Sequence, residues 1–449
     1  MKTFKPFKQL GIPALIVSSL FVVEASVVNQ GHLFSTAHAA QSDQANKKTK
    51  RVPAMRERVY SQLARAQNTA DAGDVKGGFA ILDEVKERLS SLNSYERAML
   101  FNFYGFMHYG ADEVELAINN FAKVVAEKDG ISDALYLSTQ FSLAQLYMQQ
   151  QDYSKSEQAL MAWQQANTKP LSANQHILFA QIYYQQKKFS KALTAIDSAI
   201  DVQTAKAEPI KENWLVLKRA AHYELKQPKM VTEVLEDMVR LFNKPQYWLQ
   251  LSGMYGEIGE EKKQLAVMEA AYHAGYIEKQ DDLMTLAQLY IYHQLPFKAA
   301  VLMQNNIDDG TLLVNVRRLE LLSQAYMLAK EDEKALPVLV KASEISDNGQ
   351  FDAQLAQVYV NLEKWPEAIK AAEKALERGG FDNIGDMHLA LGISYFNLKQ
   401  FDSSLLAFKN AQRIESSAKM AKQWSNYVER EKGYQMQLAK IENHKEVIN

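Results

Sequence analysis

The sequence predicts an all-α fold, an extended array of helix-turn-helix units closed by a C-terminal capping helix, and three observations predict it. First, a short stretch of the form AQxY keeps returning: LAQLY at 143–147 and again at 286–290, FAQIY ending at Tyr183, LSQAY at Tyr326 and LAQVY at Tyr359. Second, the tyrosines of these stretches and their near-copies are Tyr147, Tyr183, Tyr223, Tyr255, Tyr290, Tyr326, Tyr359 and Tyr395, spaced by 32 to 40 residues. That is the length of one helical hairpin. Third, about nine residues after most anchors comes a small residue, then a bulky one four later and often an alanine three beyond, as in Ala192, Ile196, Ala199 and Ala335, Leu339, Ala342. Spacings of three and four place these side chains on one face of a helix.

Taken in order, the elements begin with a targeting segment. Lys2, Lys5 and Lys8 precede an apolar run at 10–23, and Ala37-His38-Ala39 offers a small-x-small cleavage pattern. Residues 1–39 are therefore expected to be a signal peptide cleaved after Ala39, with Ala37 and Ala39 the small residues of the cleavage site. The run stops at Glu24, short of the roughly 20 residues a spanning helix needs, and retention as an anchor is the alternative. No later segment is long and apolar enough to span a membrane, so a periplasmic location is expected. Residues 40–52 are polar and basic, a solvated linker or a binding tail.

The array itself runs over 53–413 as about nine to ten units. Gly73, Gly78 and Leu82, then Gly105, Ala117 and Phe121, mark degenerate N-terminal ones. Turns within units are carried by QQQDY before Ser154, QQKKF before Ser190, NLEKW before Pro366 and NLKQF before Asp402, and Pro366 suits a helix start, where its missing N–H costs nothing. Ala144, Ala180, Ala287 and Gly392 are expected to face small residues of the second helix and let two backbones approach closely. The long step to Tyr223 predicts an insertion, read as a longer loop near Pro209. Residues 414–449 form the capping helix and tail, with Trp424, Tyr427, Val428, Leu438 and Ile441 on one side.

Composition excludes several classes of function. A chain with 47% hydrophobic and 23% charged residues buries a core. A net charge of -2 gives no pull toward nucleic acid. There is no cysteine, so disulfides, thiolate metal sites and lipid attachment through cysteine are excluded. His108, His222, His273, His293 and His388 each stand alone, and neither HExxH, GxSxG nor a phosphate-cradling glycine loop is present. No catalytic residue, metal or cofactor is expected.

With those residues on the page, the chain resembles the tetratricopeptide repeat family. Trp248, Leu251, Tyr255 and Ala271 meet the family pattern in one unit, with Ser252 replacing its usual glycine or alanine. Leu391, Gly392, Tyr395, Phe401, Phe408 and Ala411 meet it in another, with Ser404 replacing alanine, and Leu355, Ala356, Trp365, Ala368 and Ala375 come close to completing a third. The resemblance implies a right-handed α-solenoid whose first helices line a concave groove, with the residue two before each anchor pointing into it. Those residues are Gln145, Gln181, Gln288, Gln324 and Gln357, interrupted by Ala221, Gly253 and Ile393. Met148, Tyr184, Tyr292, Met327 and Phe396 follow the anchors on the same expected face.

Glutamine donates and accepts at once, so such a ladder suits the backbone of an extended peptide, while a set of solvated residues tolerated by the repeat is the other reading. The chain is also similar in general form to the repeat proteins that accompany TonB/ExbB/ExbD-type energy-transduction systems. That implies protein partners in the cell envelope, while a structural component of an envelope or pilus assembly is the alternative.

Overall fold

The computed structural model describes residues 50–446, with side chains through 438. The signal peptide, its cleavage residues Ala37 and Ala39, most of the linker and the Ile441 side chain lie outside the described residues. The chain divides into two compact units, Met1–Ile258 and Gly259–Asn449.

The first unit holds the helix pairs α1 (Glu57–Asp71) and α2 (Val75–Lys86), α3 (Ser94–Gly110) and α4 (Val114–Ala126), α5 (Asp133–Gln149) and α6 (Tyr153–Ala166), α7 (Ala173–Gln185) and α8 (Phe189–Ala205), and α9 (Glu212–Glu224) and α10 (Pro228–Phe242), then α11 (Pro245–Glu257). The second opens with α12 (Glu261–His273) and continues with α13 (Gln280–Tyr292) and α14 (Pro296–Asp308), α15 (Val316–Leu328) and α16 (Asp332–Ile345), α17 (Gln350–Asn361) and α18 (Trp365–Arg378), and α19 (Ile384–Asn397) and α20 (Phe401–Gln412). The long α21 (Glu415–Glu446) ends it. Within each unit, helices adjacent in sequence pack on one another, so each unit is a stack of antiparallel hairpins. Among the described residues there is no strand, and the all-α repeat class expected from the spacing is observed.

Three residues join the helices of every pair, and the middle one has positive φ: Gly73, Asp112, Gln151, Lys187, Lys226, Gln294, Lys330, Glu363 and Lys399. Gly259 takes the same conformation between α11 and α12. The next residue's N–H then reaches back five residues to a helix carbonyl, as from Asp152 to Tyr147 (2.9 Å), Leu295 to Tyr290 (2.8 Å) and Gln400 to Tyr395 (2.9 Å). Carbonyls that the helix end leaves open are thereby satisfied. The left-handed residue always falls four after the anchor, so it fixes the register independently of any tyrosine.

That register corrects the sequence reading at one place and supplies the anchor at two others. Counting back from Lys226 puts His222, not Tyr223, at the anchor; His222 is buried and Tyr223 is exposed. Counting back from Asp112 and Gly73 puts His108 and Thr69 there. The Nδ1–H of His108 donates to Glu113 Oε2 at 2.6 Å and that of His222 to Gln227 Oε1 at 2.8 Å, tying each anchor to the residue that opens the next helix. The insertion expected as a loop near Pro209 is instead carried largely by helix: α8 has 17 residues against 13 in α4.

Close packing within pairs follows one rule. Three residues before the anchor stand Ala66, Gly105, Ala144, Ala180, Ala287, Ser323, Ala356 and Gly392, and nine after it Gly78, Ala117, Ser156, Ala192, Ala299, Ala335, Ala368 and Ser404. The helices approach so nearly that Ser156 Oγ donates to Ala144 O at 2.6 Å and Ser404 Oγ to Gly392 O at 2.8 Å. Where the first residue is glycine, a phenyl ring fills its space: a Cβ at Gly105 would stand 2.6 Å from Phe121, and one at Gly392 2.5 Å from Phe408. Alanine is matched by smaller residues, Leu160 opposite Ala144 and Ile196 opposite Ala180. Each fully buried side chain of this size stabilises the fold by roughly 2 to 3 kcal/mol. Among these pairs α9 and α10 alone break the rule, with Arg219 and Val231.

Neighbouring pairs are tied by the anchor tyrosines and by two buried carboxylates. Tyr290 Oη donates to Glu269 at 2.8 Å, Tyr395 Oη to Glu373 at 2.9 Å and Tyr255 Oη to Glu236 at 2.5 Å. Fully buried Glu96 receives the Arg56 backbone N–H (2.9 Å), its guanidinium (2.8 and 2.6 Å) and the Asn93 N–H (3.0 Å). Those donors hold its carboxyl down at about 2. Asp352, 1% exposed, accepts from Ser343 (2.6 Å), Lys374 (3.0 Å) and Arg378 (2.7 Å) and so joins α16, α17 and α18.

Of the apolar side expected on α21, only the first part is seated. Val428 is buried and Trp424 stacks on Phe408, ring centroids 5.8 Å apart, whereas Tyr427 and Leu438 are exposed.

Candidate functional site

The residue two before each anchor stands one turn below the residue two after it, because positions four apart stack on a helix. In the first unit the lower position holds Gln67, Phe106, Gln145, Gln181, Ala220 and Gly253; in the second it holds Gln288, Gln324, Gln357 and Ile393. Two of these differ from the sequence expectation. Gln67 joins the ladder, and Ala220 replaces Ala221, which is fully buried. Sequence reasoning lost Gln67 because its anchor, Thr69, is not aromatic.

The glutamines are not equivalent. Gln324 and Gln357 are exposed, while Gln145, Gln181 and Gln288 are half-buried. Gln67 Nε2 donates to Asp71 Oδ1 at 2.7 Å, and Gln357 Nε2 donates to Asn361 Oδ1 at 3.1 Å. Asn361 in turn donates from Nδ2 to Asp332 Oδ2 at 3.1 Å. A carboxylate only accepts, so it orients the whole chain of amides and leaves the Gln357 carbonyl as the free acceptor. Among the described residues, the amides of Gln145, Gln181, Gln288 and Gln324 have no hydrogen-bond partner.

The residues expected beside the ladder separate. Met148 and Tyr184 belong to the hydrophobic core, Tyr184 edge-on to Phe189 at 5.3 Å, so neither lies on an open face. The reason is register: both sit one after the anchor, where neighbouring helices cover them. Phe396, in the same place, is covered by α21 through Trp424 (6.1 Å) and Tyr427 (5.4 Å), and Ile393 packs against that cluster too. Met327 is half-buried. Tyr292, two after its anchor, is 50% exposed with its hydroxyl donating to Glu261 at 2.8 Å, and Leu328, in the same place on α15, is 53% exposed. The open face of the second unit therefore pairs Gln288 with Tyr292, Gln324 with Leu328 and Gln357 with Asn361.

Burial lowers the pKa of His176 and of His388, disfavouring the imidazolium. Among the described residues no three His, Asp or Glu side chains converge to hold a metal ion, and no helix is long and apolar enough to cross a membrane.

Residues 354–418, from α17 to the start of α21, match the family model described as Tetratricopeptide repeat. No curated protein matches the sequence. Among solved structures, the chain is similar to the C-terminal part of a TPR repeat-containing protein from Cytophaga hutchinsonii, with 16% identity, 55% of this chain and 98% of that one covered and a TM-score of 0.37. It is similar to a tetratricopeptide repeat protein from Parabacteroides merdae, with 14% identity, 57% and 98% covered and a TM-score of 0.29. It is also similar to YrrB, a TPR protein with an unusual peptide-binding site, with 14% identity, 43% and 97% covered and a TM-score of 0.35.

Proposed function

We propose that this tetratricopeptide-repeat protein is a non-catalytic scaffold that holds an extended segment of a partner protein along the glutamine face of its first helices. One observation carries the reading: Gln288, Gln324 and Gln357 stand at the same place in three successive hairpins, the first two with amides unpaired among the described residues, beside exposed Tyr292 and Leu328. Packing demands the small residue and the anchor at each repeat but not the glutamine. An amide can accept from a backbone N–H and donate to a backbone carbonyl whatever the partner's side chains, and the apolar step adds contact area.

The cell setting belongs to the same proposal. The basic start, short apolar run and Ala37-His38-Ala39 support export to the periplasm, and a cysteine-free sequence suits it. There the scaffold would serve envelope proteins, with TonB/ExbB/ExbD-type components the narrower candidates. The competing reading, a permanent structural part of an envelope or pilus assembly, calls for a broad apolar patch on the second helices. Exposed apolar residues there include Leu116, Met161 and Leu406, and Phe297 with Val301 one turn apart on α14, so this reading keeps a specific surface to test.

Crosslinking and affinity capture from the native envelope, repeated with Gln288, Gln324 and Gln357 all changed to alanine, tests the scaffold. The expected result is loss of the captured partner by the triple variant; undiminished capture rejects the glutamine face.

A further inference from the structure

We infer that Arg219 receives a carboxylate from the partner segment, at the gap that Ala220 and Gly253 leave in the glutamine face of the first unit. The inference rests on the scaffold reading for the direction of approach, but its own evidence is separate.

Arg219 occupies the position three before the anchor, which is glycine, alanine or serine in every other first helix. Its partner helix offers Val231 where the other intra-unit pairs have a small residue, so the seam has no room for the guanidinium. The side chain leaves the pair and crosses to α11, where Nη1 donates to the neutral Gln250 Oε1.

Among the described residues, no carboxylate pairs with Arg219. Asp197 is taken by Lys218 at 2.7 Å, and Glu212 by Lys244 at 2.5 Å and by the Tyr247 hydroxyl. Elsewhere the withdrawn charges face an opposite one: Glu96 has Arg56, Arg97 has Glu127 and Asp352 has Arg378. Burial lowers the pKa of Arg219, opposed only by the Tyr247 phenol and by no carboxylate. A charge withdrawn from water without a counterion is costly, and an acid supplied from outside removes that cost.

Access follows from the helix. Gln250 and Gly253 lie three residues apart on one face of α11. Gly253 is exposed, and a Cβ there would meet nothing within 4 Å. Ala220 adjoins Arg219 and adds no bulk. The guanidinium, with one N–H engaged by Gln250, therefore borders open ground on the face that glutamines line elsewhere. Its planar fork of donors matches both oxygens of an aspartate or glutamate side chain.

An array of short random peptides probed with the full chain tests this. Bound peptides are expected to be enriched several-fold in Asp or Glu over Asn or Gln, and Arg219→Gln is expected to erase that preference while its thermal midpoint stays level or rises. Absence of acid enrichment, or enrichment unchanged in Arg219→Gln, overturns the inference; a lower midpoint with no enrichment assigns Arg219 to packing alone. A Gln145→Ala, Gln181→Ala variant on the same array reads the ladder separately. If it weakens acidic and neutral peptides alike, the ladder docks backbone; if it changes nothing, the ladder reading fails while the acid preference is still measured.

Discussion

Changing Gly392 to alanine puts a methyl group 2.5 Å from Cε1, 2.6 Å from Cζ and 2.7 Å from Cδ1 of Phe408. Ordinary carbon contacts begin near 3.4 Å, so the overlap is close to 1 Å. The fully buried ring is further pinned by Trp424 at 5.8 Å and cannot simply swing away. Overpacking of this kind costs about 1 to 3 kcal/mol, and the better helix propensity of alanine returns about 1 kcal/mol. The net loss is then up to about 2 kcal/mol. Phe408→Leu alone leaves a void beside the glycine and should cost a further ~1 to 2 kcal/mol.

The double variant rebuilds the alanine and leucine pairing found at Ala144 and Leu160 and should recover most of both losses, a coupling of about 2 kcal/mol. Thermal unfolding followed by circular dichroism reads this cycle in the transition that contains the second unit, at roughly 2 to 4 °C per kcal/mol. If Gly392→Ala unfolds at or above the parent temperature, or if the two losses simply add, the complementary fit between glycine and ring is not what holds this pair.

Three further outcomes follow from the packing. Glu96 titrates near 2 when folded, below its ordinary value of 4.5, so its stabilisation is full above that value and should drain away as pH falls from 4.5 toward 2; urea unfolding at several pH values should show Glu96→Gln losing that dependence. Asp352→Ala removes the shared partner of Lys374 and Arg378 and should cost about 3 kcal/mol in chemical unfolding, far more than an exposed ion pair. Glu363→Gly and Lys399→Gly, at φ of 57° and 60°, should each raise stability by roughly 0.5 to 1 kcal/mol, and β-branched replacements there should lower it.

The repeat was legible because packing writes it in letters: small residues must meet small residues, and the spacing of three, four and nine survives substitution. Register in the weaker hairpins was not, because it is set by a left-handed backbone position that the sequence fills with Asp, Gln, Lys or Glu far more often than with Gly. At Tyr223 an aromatic beside the true anchor drew the reading one residue off and hid Arg219 as the occupant of the small site. Extra residues before α9 read as loop because Pro209 suggested one, yet the helix absorbed most of them. The ladder glutamines were visible as recurring letters, but whether a neighbour such as Met148 or Tyr184 is open or covered depends on the adjoining helices, which local spacing does not encode.

The left-handed turn residues carry a practical consequence. Lys187, Lys226, Lys330 and Lys399 are exposed, hold the same backbone conformation and stand at equivalent points of four hairpins. Their positions are thus matched sites for a label at the repeat edge, away from the seams. Because the sequence has no cysteine, a Lys→Cys change at each in turn would carry a single thiol-reactive dye and report the opening of its own hairpin, a set of matched local probes for how unfolding spreads.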